Sequence, residues 1–254
     1  MKKLMLMVAM FVMAVAVMAA GTVVFDGVAY GKLGTDKNYA GQLAYLDTVA
    51  LGTQADNYQL VMRAVQAQAL VRNIKFATIA EAGIEADKLM AKFGVTGDDA
   101  RTNITAELLY YNQCKQLVLD LNATLPNGIE NQVLVAYSYY FTKQYDKALP
   151  IFIAKKNYAV AFNILKTTNA DSVKIFELAK SVLLGKPVSA STVSNVLNTL
   201  ADINFSDTAV TPDMQIAFLK AVNAKYSRFL ITDKATWEPV IANVRTTLEG
   251  YGVK

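Results

Sequence analysis

From residue 39 to residue 251, apolar side chains return at spacings of three and four, and the alternation that a β-strand needs is almost missing. Such a period gathers the apolar residues on one face of a helix, and that face is buried only by packing helix against helix. Leu60, Val61, Ala64, Ala67 and Val71 trace one stripe; Ile241, Val244, Leu248 and Tyr251 trace another. The pattern predicts helices over 39–51, 57–71, 76–93, 98–121, 129–142, 145–154, 158–165, 171–184, 191–203, 212–230 and 237–251. Punctuation agrees with several ends. Gly94 is a C-terminal cap, Thr96 to Asp99 reads as a capping box, Gly185 and Pro187 close a helix, and Pro212 follows the cap residue Thr211. Short loops between these segments imply an all-α fold of stacked antiparallel helix pairs, either a repeat-like α-solenoid or an irregular helical bundle. No proline- or serine-rich linker divides 37–254, which is read as one helical domain with 202–211 as its most hinge-like stretch. Residues 21–36 are glycine-rich and read as an extended segment with one short strand at 23–25.

The first twenty residues are different in kind. Lys2 and Lys3 precede an unbroken apolar run from Leu4 to Ala20, and Val17-Met18-Ala19 places small side chains where a signal peptidase requires them. Residues 1–20 are therefore expected to be a bacterial signal peptide, which implies export to the periplasm or cell surface. The other reading is an uncleaved anchor, since the run is near the roughly 20 apolar residues that span a bilayer. The segment holds two lysines and no acid, so the formal charge of +4 falls to +2 without it. That balance does not suit a nucleic-acid partner. Cys114 is the only cysteine, so no internal disulfide is possible, and it reads as a small buried hydrophobe within the helix over 98–121.

The chain has no histidine. This removes Ser-His-Asp and Cys-His catalysis and histidine-ligated zinc, and no phosphate loop or dinucleotide fingerprint is present. No cofactor, metal or catalytic residue is expected. Among the carboxylates, Glu81 and Glu85 share one helix face, which suits acid–base work only if they are buried. With Lys88 three residues on, a solvated face is the simpler account. Asp98 and Asp99 lack the alternating acids of a calcium loop and read as capping residues.

Residues 129–162 carry small and aromatic residues at set places: Ala136 and Tyr139 in a first helix, then Tyr145, Ala148 and Phe152 in a second. This unit resembles a tetratricopeptide repeat, with Lys143 where that family usually has a turn glycine. Lys155 and Val160 depart from the family pattern, and Pro150 is placed to kink the second helix. Residues 95–128 fit a preceding 34-residue repeat only in their second half, because 98–121 shows no break between helices. The resemblance implies that Val133, Tyr137 and Tyr140 face a concave groove that holds an extended peptide, with Tyr139 packed inside. It adds to a cluster of Tyr110, Tyr111, Tyr137, Tyr139 and Tyr140, whose rings join an apolar face to a hydrogen-bonding tip. Alternatively, these rings sit at helix–helix contacts. The expected function is that of an exported, non-enzymatic interaction protein holding a peptide or protein partner. A self-associating envelope component and a carboxylate-based cell-wall enzyme are the other readings.

Mass spectrometry of the exported protein is expected to find an N-terminus at Ala20 or Gly21. An intact Met1 in the membrane fraction would identify the segment as an anchor.

Overall fold

The structure, a computed structural model, describes residues 22–206 and 208–253; the expected signal segment, 1–20, lies outside them. Among the described residues are thirteen α-helices and no β-strand. None of these helices is long and apolar enough to cross a membrane. Helices pack on their neighbours in the chain, as the periodicity predicts. Within the linker-free stretch over 37–254, two compact units divide after Gln144. That boundary has no compositional mark because it falls at an ordinary three-residue helix turn.

The first unit contains α1 (Gly27–Thr35), α2 (Tyr39–Thr48), α3 (Gln54–Arg72), α4 (Ile79–Phe93), α5 (Asp98–Tyr111), α6 (Lys115–Thr124) and α7 (Gln132–Phe141). Residues 21–36 are not extended as expected, because α1 occupies most of them. Asp26 caps α1 by accepting from the backbone N–H groups of Val28 and Ala29 at 2.8 and 3.2 Å. Tyr30 turns inward against Phe25 and Tyr45. Glycine disfavours a helix interior by about 1 kcal/mol, but Gly34 allows close packing on α2: a Cβ there would stand 2.8 Å from Gln42 Nε2. The expected strand shrinks to a single parallel bridge between Val23 and Val49. The expected capping box at Thr96–Asp99 does not form either. Gly97 is the N-cap of α5 with no side-chain bond, and a complete box sits instead at Thr53 and Asp56, opening α3.

The helix expected over 98–121 is two helices, α5 and α6, parted at Asn112–Cys114. Gln113 adopts a left-handed conformation, φ 64°. Its N–H donates to Tyr110 O at 3.1 Å, and the Cys114 N–H donates to Leu109 O at 2.8 Å. These two bonds satisfy carbonyls that a helix end leaves open. The same pair of bonds and the same left-handed residue recur at Lys37, Lys143, Lys156 and Asn169. All five residues are exposed, so their side chains extend into water. Lys143 thus adopts the conformation that usually calls for glycine. Thirty residues separate Gln113 from Lys143, and thirteen separate each of the next two turns from the one before. The 34-residue register expected for 95–128 is therefore out by four.

The second unit contains α8 (Tyr145–Ala154), α9 (Tyr158–Thr167), α10 (Ser172–Leu184), α11 (Ala190–Ala201), α12 (Pro212–Tyr226), a 3-10 turn (Ser227–Ile231) and α13 (Lys234–Gly250). Pro150 lies inside α8 without ending it. Its core holds an aromatic cluster: Trp237 stacks on Tyr226 and on Phe229, with centroids 5.2 and 5.0 Å away, and those two rings lie 6.1 Å apart. Lys225 Nζ donates to Leu183 O and Gly185 O, both at 2.7 Å, and the Tyr226 hydroxyl donates to Leu183 O at 3.0 Å. Donors from α12 thereby close the C-terminus of α10, where Gly185 is not left-handed. Thr211 and Pro212 open α12 as the sequence predicts.

A left-handed non-glycine residue costs about 1–2 kcal/mol, whereas introducing glycine costs about 0.4–1 kcal/mol through the unfolded chain. Gln113→Gly is therefore expected to be neutral or to stabilise by up to about 1 kcal/mol, while the β-branched Gln113→Val destabilises by more than about 1 kcal/mol. Thermal melts compare them. Equal losses from both substitutions would show that the Gln113 side chain matters more than its backbone.

Candidate binding groove

Helices α3, α5 and α7 alternate in the chain but pack side by side within the first unit, with α5 in the middle. Across them, and across the residues leading into α7, runs a groove of about 640 Å³. Tyr58, Met62 and Gln66 line it from α3, Asn103 and Glu107 from α5, and Glu130 and Asn131 from the approach to α7. An adjoining hollow of about 500 Å³ shares Asp99, Asn103 and Glu130.

Amides and carboxylates connect these walls. Asn103 Nδ2 donates to Glu130 Oε2 at 2.7 Å, and Gln66 Nε2 donates to the Tyr111 hydroxyl oxygen at 3.1 Å. Asn131 has two tasks: its Oδ1 accepts from the Leu134 N–H at the start of α7, and its Nδ2 donates to Glu107 Oε1 at 2.9 Å. Glu107 is only 8% exposed. Burial holds its carboxyl above the ordinary range, against the opposing effect of the Asn131 hydrogen bond. The Tyr58 hydroxyl is pushed up by burial and then by the nearby charges of Glu107 and Glu130.

Val133, Tyr137 and Tyr140, singled out from sequence, do not line this groove; the recurring turn sets them in the register of α5. A shift of thirty residues carries Asn103, Glu107 and Tyr110 of α5 onto Val133, Tyr137 and Tyr140 of α7. All three residues on α7 are half-buried. Tyr137 stacks on Phe141 with centroids 6.2 Å apart, and Tyr140 meets Phe141 edge-on at 5.5 Å. Tyr139 packs against the core, and so do Tyr110 and Tyr111, so the five tyrosines do not form one surface. Lys115, unremarked in the sequence, lies with Nζ 3.3 Å from the centre of the Tyr110 ring and donates to Tyr110 O. Burial lowers its pKa to about 8. Tyr110 is pushed up to about 12, by burial first and then by Tyr111, Tyr137 and Glu107. Asn103, Glu107 and Asn131 also escaped the sequence reading. The available signal was the thirty-residue register, hidden by the unmarked break at 112–114.

Other candidates have structural tasks. Glu81 Oε2 accepts from the Ala77 N–H, and Glu85 accepts from Gln68 Nε2 and Lys88 Nζ at 2.7 and 3.1 Å. Burial pushes the Glu85 carboxyl up, but these hydrogen bonds outweigh it and leave the pKa lowered. Glu85 therefore does not have the raised pKa that acid catalysis needs. Asp98 and Asp99 lie in the first turn of α5, where the helix dipole favours negative charge. Cys114 is not within a helix: it is the N-cap of α6, half-buried, with Sγ 3.6 Å from Phe76 O. No group of three or more potential metal ligands occurs among the described residues. In the second unit, a hollow of about 210 Å³ has Phe176 and Phe218 in its wall and no charged residue.

Because Lys115 protonates less readily when folded than the ordinary 10.5, the unfolded chain binds more protons between about 8 and 10.5. Its contribution to stability therefore rises with pH across that window. Denaturant unfolding at about pH 7 and about pH 9.5 is expected to show wild type gaining on Lys115→Met as pH rises. A constant difference between the two proteins would mean that the ammonium is fully hydrated.

The chain matches no known family model, no curated protein and no solved structure.

Proposed function

We propose that the chain is an exported, non-enzymatic interaction protein of the bacterial envelope, and that the α3/α5/α7 groove holds an extended segment of a protein partner. The observation carrying this reading is one continuous groove along alternate helices, walled by amides, carboxylates and the Tyr58 ring. Side chains of these kinds suit an extended peptide, whose backbone offers donors and acceptors at every residue. The local likeness to a tetratricopeptide repeat supports the same use, since Lys143 takes the turn conformation, although Val133 and Tyr137 lie outside the groove wall. Export rests on the sequence of residues 1–20. The commitment of Glu81 and Glu85 to capping and pairing weighs against the carboxylate-enzyme reading.

Selection of peptides from a random displayed library against the purified protein is expected to yield binders. Asn103→Ala and Tyr58→Ala, both in the groove wall, should each weaken them by about 1 kcal/mol or more. Thermal melts of both variants serve as the control for folding. Selected peptides that bind both folded variants as tightly as wild type would place the binding surface elsewhere.

A further inference from the structure

We propose that this groove selects a basic peptide, its carboxylates receiving lysine ammonium or arginine guanidinium groups; the inference rests on the groove being the peptide site. Asp99, Glu107 and Glu130 line the groove, and no lysine or arginine does. Among the described residues, no ion pair reaches any of the three.

The arginines of the surrounding helices are engaged elsewhere. Arg101, the only cation on α5, makes a two-pronged bond to Asp87 of α4, at 2.6 and 3.0 Å. On α3, Arg63 lies over the Phe25 ring, 4.7 Å from its centre, and Arg72 lines a different hollow with Glu85 and Lys88. Helix α7 carries no charged residue. The acidic lining therefore stands in a chain of net positive charge.

Glu107 supplies the second and independent observation. More than nine-tenths of it is buried, and it lines the groove. Oε1 accepts from Asn131, while Oε2 accepts from no other residue among those described. A largely buried carboxylate with one oxygen open to the groove is stabilised by a donor cation, and in a partly dehydrated setting that attraction is stronger than at the surface. The fold itself does not require an acid there, because the same place on α7 holds Tyr137. An ammonium or a guanidinium could meet Oε2, and Asp99 and Glu130, both exposed, could receive further basic residues along the segment.

Fluorescence anisotropy tests this on the purified protein with three labelled nonapeptides, alternating alanine with lysine, glutamate or serine, and with unlabelled spermidine as competitor. The lysine peptide is expected to bind at least about tenfold more tightly than the other two and to weaken as salt rises. Glu107→Gln keeps an oxygen to accept from Asn131, and it should lose about tenfold of the lysine-peptide affinity, the size of a charge-assisted hydrogen bond. Should Glu107→Gln fail to fold, Glu130→Gln at the exposed rim is expected to reduce the salt dependence instead. Serine or glutamate peptides that bind as well as the lysine peptide would overturn the charge selectivity and leave the groove reading standing. Spermidine that binds while the lysine peptide does not would overturn the peptide and indicate a free polyamine. No binding by any probe would overturn the selectivity, and the library selection then judges the groove by itself.

Discussion

The architecture depends on a turn that reverses the chain in three or four residues without glycine. At each of five places a Lys, Gln or Asn takes the left-handed conformation, and two backbone hydrogen bonds close the helix before it. The local strain is offset by satisfied carbonyls and by the immediate start of the next helix. Between such turns, α7, α8 and α9 are each ten residues long. Equal lengths return equal positions to the same environment. Ala106 and Ala136, thirty residues apart, are both fully buried, as are Ala148 and Ala161, thirteen apart. Small residues at these places allow helices to approach closely, and the turn determines where they fall.

The groove follows from the same geometry. Because α3 and α5 pack side by side with α4 between them in the chain, their exposed flanks form one surface. Ala106, fully buried, also forms part of the groove floor, so the closeness of the helices and the depth of the groove are set together. Polar side chains on that floor lie in a partly dehydrated setting, which accounts for the raised pKa of Glu107 and of Tyr58. Asn131 couples shape to charge: one amide caps α7 and holds the carboxylate of Glu107.

What could be read from the sequence divides along physical lines. The helical class was legible because burial of an apolar stripe is encoded by period, and Gly94 and Thr211-Pro212 marked ends through backbone chemistry. The break at 112–114 was not legible, since Asn-Gln-Cys are ordinary helix residues and the left-handed Gln113 is held by tertiary packing of both helices. That one omission displaced the repeat register by four residues and hid Asn103 and Glu107. Helix α1 was missed for the opposite reason: its glycines suggested an extended chain, but the Asp26 cap and the packing of Tyr30 override weak propensity. For the site, Val133 and Tyr137 were placed through a resemblance, and the register on the structure assigns them the α7 counterparts of true groove residues. Val133 itself does not line the cavity, whose approach from α7 is made by Ile129, Glu130, Asn131 and Leu134.

Comparing α5 with α7 separates what the fold requires from what the groove contains. Both helices end in the same turn and bury an alanine at the same place, so the packing demands match there. At the next residue, α7 presents Tyr137 while α5 presents Glu107. An aromatic ring at that position gains from burial, whereas a carboxylate loses hydration and is only half repaid by one amide. Stability alone would therefore favour the apolar choice on α5 as well. A carboxylate in that position carries an electrostatic cost, which protonation or a positive charge in the groove would lower.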